Sequence, residues 1–439
     1  MRKIFILFFG LLMVFPISAQ DDFLIENDKR RVVIPFKLLN NLIFIPITVN
    51  GVELTFLLDS GVEETILFSM EDKKEVSFNN VQKIKLRGLG SEEEIEGLKS
   101  TNNVLQTHGL ISTNHLVYII LDQGFNLSSQ IGIPVNGIIG YRFFKNNIVE
   151  INYQKNKIFI YKDKMQLGKQ FEKKFKTYPI SIERSKPYIR TFAVVNDLKI
   201  PAKLLIDIGN SDSFWIFQND RIALPEKNFP DFLGKGFSGD IEGHRAKISK
   251  FYLGDFEFEN PIVAFPDSSS IKNVQLVPGR LGSVGGEVLK RFRIVLDYNE
   301  KNIYLKPNRK FHEPFTYNKS GITIQHNGLQ WVQETVFLEM INTADKSELN
   351  AKERGRDFKY KFALKPVYEI VNIRSNSTGE KYGLQKGDVI LSINFTKAYK
   401  YTLEQINHLF KGDKETWINL EIDRNGQILN FRLKLEEEL

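Results

Sequence analysis

Phe56-Leu57-Leu58-Asp59-Ser60-Gly61 is an apolar run that ends in an acid, a hydroxyl and a glycine. Leu204-Leu205-Ile206-Asp207-Ile208-Gly209 repeats it, with Ile208 where the hydroxyl stood. Upstream of each, Val49-Asn50 and Val195-Asn196 sit in strand-like runs. Downstream the match continues in one order. Ile95-Glu96-Gly97 is echoed by Ile241-Glu242-Gly243, and the apolar run at 116–122 by the one at 262–267. Ile138-Ile139-Gly140 is echoed by Ser283-Val284-Gly285, with glycine 81 residues after Asp59 and 78 after Asp207. Both segments lead into similar tails, 141–153 and 286–298. Repeated landmarks at near-equal spacing mark an internal duplication. The expected organisation is two homologous β-rich lobes, 27–165 and 178–308.

Composition agrees with β structure and narrows the function classes. The 439 residues suffice for two or three cores, with 35 Phe and 15 Tyr mostly in short β-branched runs. A 42% hydrophobic and 26% charged composition excludes a disordered, collagen-like or polytopic membrane chain. The absence of cysteine removes disulfides, thiolate metal sites and cysteine nucleophiles. Residues 1–20 open with Met-Arg-Lys, run apolar from Ile4 to Pro16 and end in small residues, the pattern of a secretory signal peptide. Its removal takes Arg2 and Lys3 from a net charge of +7, leaving +5 with both signs interspersed and no nucleic-acid footprint. The end of the signal resembles those of Gram-negative bacteria, and the expected location is periplasmic or secreted, with no integral membrane span after removal of the signal.

A third unit begins beyond Pro307 and Pro314. It offers strands near 321–324, 368–373, 387–394, 417–422 and 428–435, and helical spacing at Leu403, Ile406 and Phe410 behind a Thr402 cap. A polar insertion at 342–358 reads as an exposed loop. The closing Glu436-Glu437-Glu438 run reads as a solvated end.

The chemistry rests on pairing. One Asp-Ser-Gly triplet means little, but a twofold axis between duplicated lobes would bring Asp59 and Asp207 together. Two adjacent carboxyls share a proton, so one can activate a water while the other polarises a carbonyl. No cofactor or metal is required, and the six histidines show no metal-ligand spacing.

These residues resemble aspartic peptidases of the retropepsin/pepsin clan, close to the bacterial retropepsin-like aspartyl protease family. The resemblance covers most of 27–308 and implies a mainly β fold of two pseudo-twofold-related lobes. It makes Asp59 and Asp207 the catalytic pair, and Ser60, Gly61, Gly209 and Asn210 the support of the active-site loops. The glycine pairs Gly88/Gly90 and Gly234/Gly236 take the positions of flaps over a bound protein or peptide substrate. Ile208 departs from the family, whose Ser/Thr ties the two loops together; losing that hydrogen bond, worth about 0.5–1.5 kcal/mol, loosens the dyad. Val62 likewise replaces a small polar residue.

Residues 318–437 resemble a PDZ domain, with Gly328, Leu329, Gln330 and Trp331 at the carboxylate-binding loop and 377–390 similar to its Gly-Leu-x-x-Gly-Asp stretch. That implies capture of a C-terminal peptide by strand addition. The expected activity is endopeptidase cleavage outside the cytoplasm. The alternative is a non-catalytic peptide receptor on the same scaffold, with an envelope assembly protein acting through the PDZ groove as a third class. The stretch 113–117 around His115, with Ser238, faintly resembles a serine-protease pair, but the duplication argues against it.

Overall fold

The structure, a computed structural model, describes residues 22–26, 29–68, 75–86, 95–120, 127–167, 171–236, 239–272, 276–337 and 358–439. The proposed signal peptide, the first glycine hairpin tip with Gly88 and Gly90, and nearly all of the 342–358 insertion lie outside these residues. The fold is mainly β, 55% strand against 11% helix among the described residues, as short β-branched and aromatic runs favour.

In the first half six strands close into a ring. Leu42–Val49 and Val52–Leu58 form a hairpin across Asn50 and Gly51, both at positive φ, as a tight two-residue turn needs. Val52–Leu58 then runs parallel to Gly137–Ile139, which pairs with Thr65–Leu67, and that with Leu110–Ile120. Ile95–Thr107 pairs with Leu110–Ile120 and returns to Leu42–Val49. Such a closed ring leaves no open edge. Side chains alternate: Ile43, Ile45, Phe56, Leu58 and Ile139 fill the main core, while Phe44, Leu57 and Ile138 gather on the opposite face.

The second half follows the same pairing order through Lys186–Val195, Leu198–Ile206, Arg280–Val284, Phe214–Ile216, Ile262–Pro266 and Gly239–Lys247. Its long strands are broken near Pro261, which has no N–H for a continuous ladder. Lys250–Leu253 and Phe256–Glu259 carry the interrupted part.

Between the lobes lies a six-stranded antiparallel layer: Arg31–Pro35, Lys157–Tyr161, Ile148–Asn152, Phe292–Asp297, Asn302–Pro307 and Lys176–Glu183. At its centre Ile148 faces Asp297, Glu150 faces Val295 and Asn152 faces Arg293. Under the 141–153/286–298 correspondence these pairs exchange into one another, so the pseudo-twofold axis passes through Glu150 and Val295. Glu150 is 1% exposed and is held by the Tyr161 hydroxyl at 2.9 Å and by Arg293 Nε at 2.6 Å. Removing one partner of a buried ion pair strands the other. Arg293→Leu is therefore expected to cost about 3 kcal/mol in urea unfolding, the low end for such losses because Arg293 is partly exposed.

Residues 322–434 form a separate six-stranded sheet with its own core around Ile322, Ile370, Ile393, Ile406, Phe410 and Ile422. Helix Leu403–Phe410 starts in a capping box between Thr402 and Gln405. The expectation for 436–438 needs correction in part: Glu436 and Glu437 are exposed and Glu438 is half-buried, but all three are ion-paired. Glu436 meets Lys381 at 3.0 Å, Glu437 meets Lys247 at 3.8 Å and Glu438 meets Arg374 at 2.6 Å. Leu439 is buried with Phe229, Ile262 and Tyr317, so Leu439 and Glu437 join the C-terminal unit to the second lobe, while Glu436 and Glu438 pair within the unit. Their cations come from distant parts of the chain.

Candidate active site

Asp59 and Asp207 each follow the last residue of a strand in equivalent parallel pairings. The Asp59 N–H donates to Ile139 O and the Asp207 N–H to Val284 O, both at 2.9 Å. Gly140 closes the first of these signatures because the loop after Asp59 crosses it: a Cβ there would lie 2.0 Å from Val62 O. The second loop is fixed by an Asx turn, Asn210 Oδ1 accepting from the Asp212 N–H at 2.8 Å, with the Gly286 N–H donating to Asn210 O at 2.6 Å.

The two loops meet at the axis. A Cβ on Gly209 would sit 2.2 Å from the Asp59 carboxyl carbon, and one on Gly61 would sit 3.0 Å from Asp207 Oδ1. Each carboxyl thus packs over the opposite loop's glycine, and the two are hydrogen-bonded to each other. The Gly61 N–H donates to Asp59 Oδ1 at 2.7 Å. Both carboxyls are closely surrounded by protein yet keep a solvent-accessible edge. Burial, and then the charge of Asp207, push Asp59 up to about 8. Burial also raises Asp207, against the opposing charges of Arg280 and Lys186.

Ser60, fully buried, spans the axis. Its Oγ donates to Ile206 O at 2.6 Å and accepts from the Ile208 N–H at 3.0 Å. Ile208 packs into the main core and has no hydroxyl with which to return the bond, so the loops are tied once rather than twice. Asn41 adds a link from the first lobe, donating to Ser211 O at 2.8 Å and to Glu287 Oε2 at 2.9 Å.

Gly234 and Gly236 lie on the strand Asn228–Gly236, which pairs with Gly239–Lys247 as a hairpin; its tip, with Ser238, is outside the described residues. Arg245 on that hairpin binds Asp231 at 2.5 Å and Asp212 at 2.8 Å, joining it to the second active-site loop. His115 is buried in the first lobe, Nε2 on Thr65 Oγ1 at 2.7 Å and Nδ1 on Ser112 Oγ at 2.9 Å. Gly328 has φ 72° beside a register shift, and Leu329 and Trp331 are exposed on a strand that, among the described residues, pairs only with Phe358–Ile373 in the C-terminal sheet. Helix Leu127–Ile131 packs against that same strand, and Gly132 abuts Leu403.

Sequence reasoning missed Lys186, Tyr188 and Arg280, which surround the Asp207 side of the dyad. Comparison of the two halves carried the signal: Leu42 and Val135 are apolar where Lys186 and Arg280 are charged. Among the described residues no group of three His, Asp or Glu could ligate a metal, and no helix is long and apolar enough to cross a membrane. No protein-family model matches the chain, and no curated protein matches it.

Proposed function

We propose that the protein is an aspartic-type endopeptidase, with Asp59 and Asp207 acting on one water between two retropepsin-like lobes. The observation that carries this reading is the stacking of each carboxyl over the other loop's glycine, with one proton-sharing contact between them. The ionised carboxylate accepts a proton from water as the water oxygen attacks the peptide carbonyl. The protonated partner donates its proton to the carbonyl oxygen. Collapse of the tetrahedral adduct breaks the C–N bond with proton transfer to nitrogen, and the pair again holds one proton. Residues 318–437 would serve as a PDZ-like module taking chain ends along the exposed edge at Leu329 and Trp331, and residues 1–20 would direct export to the periplasm or beyond.

The test is a mixed peptide library incubated with the chain from Asp21 onward across pH 3 to 9. Cleavage is expected to persist through neutral pH and to fall above about pH 8, where the second carboxyl ionises. It should also fall in acid once both carboxyls are protonated. Ile208, which leaves a single tie between the loops, favours the second reading, a peptide receptor on the same scaffold. Binding without cleavage at every pH would select that reading.

A further inference from the structure

The duplication supplies an internal comparison for the walls beside the dyad. In the first lobe Phe44 faces Leu57, which faces Ile138, forming one row two residues before Asp59. In the second lobe the register is identical: Tyr188 faces Leu205, which faces Ser283, two residues before Asp207. Residues two apart on a strand share a face, so each row continues the face that carries its catalytic carboxyl. Flanking the first row at equivalent positions are Leu42 and Val135. Flanking the second are Lys186 and Arg280.

The first wall is therefore wholly apolar and the second is cationic. Arg280 lies over its row, with Nη2 on Ser283 Oγ at 2.9 Å, Nε on Gly282 O at 3.1 Å and a hydrogen bond to the Tyr188 hydroxyl. Lys186 stands between the lobes, where its charge acts on Asp59, Asp207 and Glu63. Among the described residues those partners of Arg280, Gly282 O, Ser283 Oγ and the Tyr188 hydroxyl, are all neutral, and both cations act on the dyad through charge. Lys203, on the same face, is already neutralised by Glu183 at 2.8 Å. Lys186 and Arg280 are both half-buried beside the dyad, whose negative charge offsets them without directly pairing with either, so each keeps donors that a ligand carboxylate can reach.

We propose that Lys186 and Arg280 bind a substrate carboxylate, an aspartate or glutamate side chain flanking the scissile bond, while the half-buried Leu42 at the equivalent place of the first lobe faces an apolar side chain. The proposal deepens the peptidase reading and rests on it for the word scissile. A planar guanidinium already oriented by Ser283 and Tyr188 suits a carboxylate, and Lys186 adds a second donor from across the row.

The experiment uses the chain from Asp21 onward and fluorogenic peptides that pair an apolar residue with Glu, Gln or Lys across the cleaved bond, in both orders. A second set carries a C-terminal acid or amide near that bond. Glu is expected to exceed Gln in kcat/KM by about tenfold or more, because a site built for a charged partner rejects its neutral analogue. That ratio should fall towards one in Lys186→Met and Arg280→Met, persist in Lys186→Arg, and invert in favour of Lys in Lys186→Glu. Preference for the free acid end without preference for internal Glu would assign the carboxylate to a chain end. A ratio near one in the parent, or one unchanged by the Met variants, overturns the carboxylate site while leaving the peptidase standing. If no peptide is cut, the peptidase reading fails, and anisotropy with labelled Glu and Gln peptides still decides the wall: tighter Glu binding supports it and equal binding overturns it.

Discussion

Asp59→Asn and Asp207→Asn are each expected to lower kcat/KM by on the order of 10³-fold or more, because an amide can neither deprotonate water nor share a proton with the remaining acid. The same variants should fold more stably at neutral pH. In the native protein Asp59 titrates near 8 instead of its ordinary 3.8, so folding favours the protonated form. The unfolded chain releases that proton at lower pH, and native stability therefore declines as pH rises from about 4 to 8. An asparagine has no such proton to lose. Urea unfolding of parent and variants at pH 4 and pH 8 should show the pH 8 loss reduced in either Asn variant. Inactivity combined with undiminished stability would separate a chemical defect from a folding defect.

The second large effect is expected at Ser60. Ser60→Ala removes the hydroxyl that, among the described residues, alone joins the two loops, and leaves the Ile206 carbonyl and the Ile208 N–H without it. Each stranded buried group costs about 1–3 kcal/mol, so about 2–6 kcal/mol should be lost in urea unfolding. The dyad should also lose registry, with kcat falling more than KM changes. Ile208→Thr supplies a hydroxyl from the opposite loop. It gives up two buried carbons, about 1.6 kcal/mol, against a bond that in the Ser60→Ala background satisfies a stranded group worth about 1–3 kcal/mol. In the Ser60→Ala background it should restore part of both stability and kcat. No recovery in the double variant would mean that the loops are held by the surrounding core and not by the hydroxyl.

The pairing of Asp59 with Asp207 could be anticipated because duplication is written in residue order, and a repeated acid after a repeated strand needs only an axis to become a pair. The single tie was legible too, as Ile208 stands where a hydroxyl is missing. Arg280 was not, since it lies 73 residues beyond Asp207 and reaches the site only through the parallel pairing of Arg280–Val284 with Leu198–Ile206. Lys186 is hidden for the same reason, entering through a hairpin register. The 436–438 run misled because a row of like charges in one dimension says nothing of cations that the fold brings to it. Lys247 comes from a strand of the second lobe and Arg374 from just past the strand Phe358–Ile373 of the C-terminal unit.

The axis through Glu150 and Val295 bears on how freely the halves could recombine. Two copies of the first lobe assembled about that axis would set Glu150 against Glu150, two buried carboxylates with Cα atoms about 5 Å apart. Ile148 would then occupy the place of Arg293, so neither acid would have its counter-ion. Two copies of the second lobe would meet at Val295 without conflict, but both loops would carry Ile208 and no hydroxyl would cross between them. Each half has thus given up something that only the other provides: the first lacks the cation for its own acid, and the second lacks the hydroxyl for its own loop. Whatever symmetric ancestor the repeat descends from, its two descendants are now complementary and not interchangeable.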